Sequence, residues 1–397
     1  MPQLRLSDAE YRRHRDAILA RLASKNLTGL ICFNPNNVRY FCRWGFISTE
    51  RPIAYVLTPE HSALLVPSLE QEHSAEFAIV ETIRPYPEYP GDRHPMQFLK
   101  DILIEFGLEQ ERIGVDAPGY GNIFGYRGPR VSDLLPEATI ENVNDEIEYL
   151  EMINSPEELA LIRESARWGN LAHVYLQEYC AVGVSETEIS MRASYEASQT
   201  MIRTLGAEYR PVGTGSMPAH AGFRGQIGKD SALPHAMTSN VKLKEGDVLV
   251  TGAGADVWSY GSELERTMVM GEPSPKQEKF FDLMLQAQTL ALDTIKPGIT
   301  CAAVDRAVHA FFDEHDLNQY GRHHSGHAKS TLIHEAPFLD TGDERLIEVG
   351  MVFTVEPGIY VPGFAGFRHS DTVAVTETGI EFITYYPRDL ASLIIPV

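Results

Sequence analysis

The sequence predicts an α/β domain over residues 1–150 followed by an α+β domain over 151–397. Three observations carry this reading. Short apolar strands alternate with helical stretches up to about residue 145, the pattern of a layered α/β domain. A long amphipathic helix then opens at Ser155. The end of the chain is β-rich. A length of 397 residues also exceeds one ordinary core, so two domains are expected.

The elements follow in order. "SDAEYRRHRDAILARLASKN" places Ser7 as a cap, Glu10 three residues on, and Ile18, Leu19 and Leu22 on one side, a helix opened by a capping box. "LTGLICF" reads as a buried strand. "IAYVLTPEHSALLVP" reads as two strands around a Pro-Glu-His turn. A helix near 95–106 precedes the strand "RIGVDA". In the second half, Ser155 caps a long helix with Pro156 at its first position, and a second helix runs from Ser185. The Gly- and His-containing stretch "GTGSMPAHAGFRGQ" reads as a loop. "DVLVTGAGAD" and "YGSELERTMVMG" read as paired strands joined by a turn around Ala255–Ser259. Helices are expected over 275–296 and 301–314, then the strands of "MVFTVEPGIYVP" and "GFRHSDTVAVTETGIEFIT".

Composition bounds the function. Apolar residues make up 43% and aromatics 9%, so the chain is globular. A net charge of −21 argues against a nucleic-acid surface, which needs clustered Lys and Arg. Cys32, Cys42, Cys180 and Cys301 are scattered, with neither zinc-knuckle nor disulfide spacing, and read as reduced, buried thiols. The first residues lack the apolar run of a signal peptide, and no stretch approaches the ~20 apolar residues of a membrane span. A cytoplasmic location is expected, with neither membrane nor nucleic acid as partner.

Chemistry concentrates in the second half. In "SYGSELERTMVMG", Glu263 and Glu265 lie two apart, which on a strand puts them on one face. They grip a metal, grip a cationic substrate, or face water. Nine of the fourteen histidines lie between 220 and 369, among them His323, His324, His327 and His334 in "RHHSGHAKSTLIHEAP". Such a cluster suits proton transfer or metal binding, with loop histidines as the plain alternative. Glu356, in "VFTVEPGIYVP", ends a hydrophobic strand, where a carboxylate needs a partner.

These stretches, together with "GFRHSDTVAVTETG", stand in the order and spacing of the pita-bread hydrolases, and the chain resembles that family over about 155–395. The family includes Xaa-Pro aminopeptidases, prolidases, methionine aminopeptidases and creatinases. The N-terminal part resembles the smaller domain of creatinase and prolidase. The resemblance implies a creatinase/aminopeptidase fold, hydrolase activity and a homodimer.

Family metallopeptidases hold two divalent metals with two Asp, one His and two Glu. Carried over by position, these fall on Gly252 (beside Thr251), Glu263, His327, Glu356 and Ser370. Two ligands are missing, so the usual dinuclear site looks broken. No cofactor is expected, and a single divalent metal held by Glu263, His327 and Glu356 stays open. The chain resembles creatinase, which works without metal, at Leu264, Glu265, Arg266 and Thr267, at His235 of "ALPHAMTSN", and at His327 and Glu356. A second active-site His of creatinase falls on Ser370, with His369 adjacent.

This resemblance implies a metal-independent hydrolase of a C–N bond in a small zwitterionic, amide or guanidino-type substrate. Its catalytic residues would be His235 (as acid/base), Glu265, His327 and Glu356. Arg51, Glu263, His334 and His220 would bind substrate, Arg51 from the partner subunit, with Arg224 at the pocket mouth. Without metal, the acidic cup needs a positive partner, which the substrate is expected to bring. The alternatives are an Xaa-Pro aminopeptidase or dipeptidase with altered ligands, acting on dipeptides, and a non-catalytic small-molecule binding protein on the same scaffold.

Overall fold

The computed structural model describes residues 3–121, 124–210 and 217–397, and the chain divides into two compact units, Leu6–Glu151 and one built mainly from Met152–Val397. The first is a mixed six-stranded sheet. Its strands run Thr82–Tyr86, Ser62–Pro67, Ala54–Leu57, Gly29–Cys32, Arg112–Val115, Thr139–Asn142. Strand alternation sends Ile31, Val56 and Leu65 into one apolar cluster and Leu30, Tyr55 and Leu64 into another. Helix Pro95–Glu105 covers the first face through Met96, Leu99 and Ile102, and helix Asp8–Ser24 the second through Ile18 and Leu22. Each such buried side chain contributes roughly 1.5–3 kcal/mol. Ser7 caps the first helix by accepting from the Glu10 amide, while the Glu10 carboxylate accepts from Arg13. A helix over Pro35–Cys42, with Asn34 as its cap, was not expected from the sequence.

The second unit centres on a nine-stranded antiparallel sheet. Its main path runs Tyr260–Gly261, Gly252–Val257, Leu264–Glu265, Ser370–Thr376, Val352–Val355, Gly326–Ala328, Glu335–Leu339. Helix Pro156–Tyr179, opened by the Ser155/Glu158 capping box, packs closely on Gly252–Val257. A Cβ on Gly169 would lie 2.9 Å from the Cα of Gly254, so this approach needs glycine. Part of the expected loop at 213–226 is a strand, Ala219–Gly222, while 213–216 lie outside the described residues. All four cysteines are buried and free.

The hairpin expected around Ala255–Ser259 turns at Trp258–Ser259, both at positive φ. Its arms are not continuous. Val248–Val250 and Thr267–Met270 pair in a separate small sheet, while Gly252–Val257 and Leu264–Glu265 join the large one. The break falls at Thr251 and Arg266, where the Thr251 hydroxyl donates to the Arg266 carbonyl and accepts from the Arg266 amide.

Candidate active site

Adjacent strands assemble the site. Glu265 is in register with Ser370, Val355 with Asp371, and His327 with Thr354. Glu263, just before Leu264–Glu265, is anchored by its amide donating to Thr372 Oγ1 at 2.8 Å. Glu356 directly follows its strand, its amide donating to the Ser325 carbonyl at 2.8 Å. Glu263, His327 and Glu356 thereby bring one ligand atom each within 4.8 Å of one another.

The imidazole of His327 is fully buried. Its Nδ1 lies 2.9 Å from the Ala328 carbonyl, which assigns the proton to Nδ1 and leaves the Nε2 lone pair free. Nε2 has no hydrogen-bond partner and lies 3.5 Å from Glu356 Oε1. Burial works against protonation of this ring, but Glu356 and Glu263 together raise its proton affinity above the usual value. Burial likewise opposes ionisation of Glu356, yet the His327 contact and the Arg368 charge hold its carboxyl below the usual range. Burial, then the charges of Glu356 and Glu265, push Glu263 up to about 7. Two neighbouring carboxyls are driven apart, as an acid/base pair requires.

Glu265 occupies a different role from Glu263. Its carboxylate accepts from Arg368 Nη2 at 2.8 Å and from Arg368 Nε, and from Arg224 Nη2 at 2.7 Å. Arg368 is 3% exposed. It also donates to the Tyr360 hydroxyl at 2.9 Å, and its Nε lies 3.6 Å from Glu356 Oε2. The expectation that positive charge must arrive with the ligand is therefore corrected: Arg368 and Arg224 already supply it inside the acidic cup. Arg368 was missed because its sequence neighbours Ser370 and Asp371 drew the ligand comparison. The two-residue step from Arg368 to Ser370 was the available signal for a shared face.

Gly252 and Ser370 stand where family carboxylates were expected. A Cβ on Gly252 would face Glu265 Oε1 at 3.5 Å, so the Glu265 side chain lies against that position. The Ser370 hydroxyl donates to Glu263 Oε1 at 3.1 Å. His369 does not substitute for it. It is buried, accepting at Nδ1 from the Thr267 amide and lying with Nε2 3.1 Å from the Arg388 carbonyl. Arg266 turns away from Glu263 and pairs with Asp371 at 2.7 Å in the core.

A cavity of about 710 Å³ opens beside this cluster. Glu263, Glu265, Arg224, His220 and Lys329 line it, with Met191, Met217, Leu332 and Ile333 as apolar wall. His334 stacks on His327 with ring centroids 3.9 Å apart, and burial followed by the His327 charge lowers it to about 4. His235 is exposed in the loop after Gly228–Ala232, close enough for its charge to act on His334. Arg51 belongs to the first unit, where it is held by Glu88 at 2.6 Å and Glu50 at 2.6 Å.

Comparison with known proteins converges on one family. Residues 160–377 match the model of metallopeptidase family M24, and residues 14–153 match the creatinase/prolidase N-terminal domain. The chain is 30% identical over 367 residues to an Xaa-Pro dipeptidase of Pyrococcus horikoshii, covering 91% of this chain and 93% of the relative. Dipeptidase PepE from Mycobacterium ulcerans superposes with a TM-score of 0.83 at 26% identity, over 99% of this chain and 100% of that one. A prolidase structure from Pyrococcus horikoshii gives a TM-score of 0.78 at 25% identity, over 95% and 99%.

Proposed function

The chain belongs to metallopeptidase family M24, and on that footing we propose that it hydrolyses the amide C–N bond of a small, dipeptide-sized substrate using a single-ion centre. The expectation of a creatinase-like, metal-free reaction gives way to the peptidase alternative, because the relatives are Xaa-Pro dipeptidases by name. One observation carries the single ion. Glu263, His327 and Glu356 converge within 4.8 Å, with a buried, unbonded Nε2 among them. Two ions do not fit this site, since Gly252 has no ligand atom and the Ser370 hydroxyl is spent on Glu263.

Glu263, His327 Nε2 and Glu356 would hold a divalent cation, which would supply Lewis-acid polarisation of an amide carbonyl and lower the pKa of a bound water. The protein's residues do the rest. The Nδ1–H bond to the Ala328 carbonyl keeps His327 in the ligating tautomer. Arg368 holds Glu265 and steadies Glu356, so Glu265 acts as a positioning residue. As a ligand Glu263 would be the carboxylate, its proton released as the ion binds. His235 takes the proton of the attacking water and passes it to the leaving nitrogen as the amide C–N bond breaks, and His334 keeps His327 oriented by stacking. A homodimer in which the partner contributes Arg51 belongs to the same reading, which the family resemblance supports.

The creatinase-like reading keeps one observation on its side. Arg368 and Arg224 place fixed positive charge in the cup without any ion. Metal analysis of protein purified without chelator, with assay of a dipeptide panel, separates the two. The single-ion reading expects about one divalent ion per chain and dipeptide hydrolysis lost to chelator and regained with metal. Two ions per chain, or full activity in chelator, would overturn it.

A further inference from the structure

Lys329 lies two residues beyond His327, just past the strand Gly326–Ala328, and is 8% exposed. Its ammonium carries three N–H donors. One is engaged, with the Leu332 carbonyl at 3.2 Å, and no carboxylate lies within salt-bridge distance among the described residues, although its charge reaches Glu263. The backbone is shaped around this cation. A Cβ on Gly261 would sit 3.4 Å from Nζ, and the Gly261 amide ties down the Ser330 carbonyl at 2.8 Å. A buried ammonium without a counter-ion is costly to fold around.

Lys329 also has the right surroundings for a ligand. It shares the 710 Å³ cavity with Glu263, Glu265, Arg224 and His220. His220 stands open to the cavity, where the surrounding protein and then the charges of Lys329 and Arg224 disfavour its protonation, so this ring meets a ligand as a neutral hydrogen-bonding group. Arg224 is already paired with Glu265 at 2.7 Å, which leaves Lys329 as a lining cation with no ion pair among the described residues.

We infer that Lys329 is a specificity-determining residue whose ammonium receives the free carboxylate of the substrate, the scissile amide then lying toward Glu263. This deepens, and rests on, the amide-hydrolase reading above. A dipeptide with an ionised C-terminus completes the Lys329 pairing, whereas its amide or ester leaves the cation buried and unpaired. Specificity then comes from the cost of that unpaired charge.

The test is calorimetric titration of the protein as purified with L-proline and with L-prolinamide. Wild type is expected to bind the acid at least about tenfold more tightly, as one charge-assisted hydrogen bond implies. Lys329→Met is expected to bind both alike, and Lys329→Arg to retain the preference. The Lys329→Met melting temperature should equal or exceed that of wild type, which separates lost recognition from misfolding. Equal affinities in wild type, absence of acid binding, or an undiminished preference in Lys329→Met overturns the assignment. Hydrolysis of glycyl-L-proline, followed in parallel, reads out the amide-hydrolase proposal separately. Its absence alongside Lys329-dependent acid binding rejects that proposal and leaves the carboxylate site standing.

Discussion

Replacing Glu265 with Gln keeps the shape of the side chain and removes its charge. In the wild type, Arg368 is 3% exposed and meets Glu265 through both Nε and Nη2. Breaking a buried pair by neutralising one member costs roughly 3–5 kcal/mol, because the other charge stays buried and uncompensated. The Gln carbonyl still accepts one bond, which places the cost near the lower limit, about 3 kcal/mol. The Arg224 contact adds little, since that side chain is half-exposed and solvent screens it. For a unit of this size the loss corresponds to a melting temperature lower by roughly 6–12 °C.

A second effect follows from geometry. Arg368 Nε lies 3.6 Å from Glu356 Oε2, so the guanidinium turns to Glu356 once Glu265 is neutral. Glu356 is then drawn from His327, and metal affinity is expected to fall about 10–100-fold, the range for a supporting residue behind a ligand. Thermal melts and a metal titration on the same preparation measure both. The double variant Glu265→Leu with Arg368→Met supplies the control, since removing both charges is expected to be near neutral for stability. A shift under 2 °C in Glu265→Gln, or a double variant as unstable as a full buried-charge defect requires, refutes the reasoning.

Two other outcomes follow from the same structure. Gly252→Asp combined with Ser370→Glu is expected to raise the bound divalent metal from one to two ions per chain by mass spectrometry. Gly252 lies outside the left-handed region and has only ordinary contact with Glu265, so a side chain fits there. An unchanged stoichiometry would show that more than ligand supply excludes the second ion. Separately, burial and then the Arg266 charge lower His173 from 6.5 to about 3. The unfolded chain therefore binds the extra proton between those values, and stability falls as pH drops through that window. The slope reaches at most about 1.4 kcal/mol per pH unit from this residue. Denaturant melts of His173→Gln should show a shallower loss between pH 6 and about pH 4, and an equal slope would remove His173 as the cause.

Much of this molecule follows from local chemistry. Ser155 with Pro156 and Glu158 starts its helix wherever the rest of the chain goes, because a cap acts within one turn. The alternation in "AYVL" and "SALLVP" specifies strands with two apolar faces. Family spacing also brought Glu263, His327 and Glu356 into one group, and Gly252 and Ser370 into view as vacated positions. Pairing partners were a different matter. Whether Glu265 meets Arg266, Arg368 or a ligand depends on the register of Leu264–Glu265 against Ser370–Thr376, a contact more than a hundred residues away in sequence.

Residue identity and spacing by themselves determined the caps and the strand faces, and the family resemblance supplied the three candidate ligands. Only the tertiary structure decided the electrostatics of the site. It set Arg368 inside the carboxyl cluster, turned Arg266 and His369 away from it, and left Lys329 buried beside an open cavity. The reason is physical. Periodicity and capping are interactions within a few residues, whereas the energy of a buried charge is fixed by whatever distant strand happens to face it.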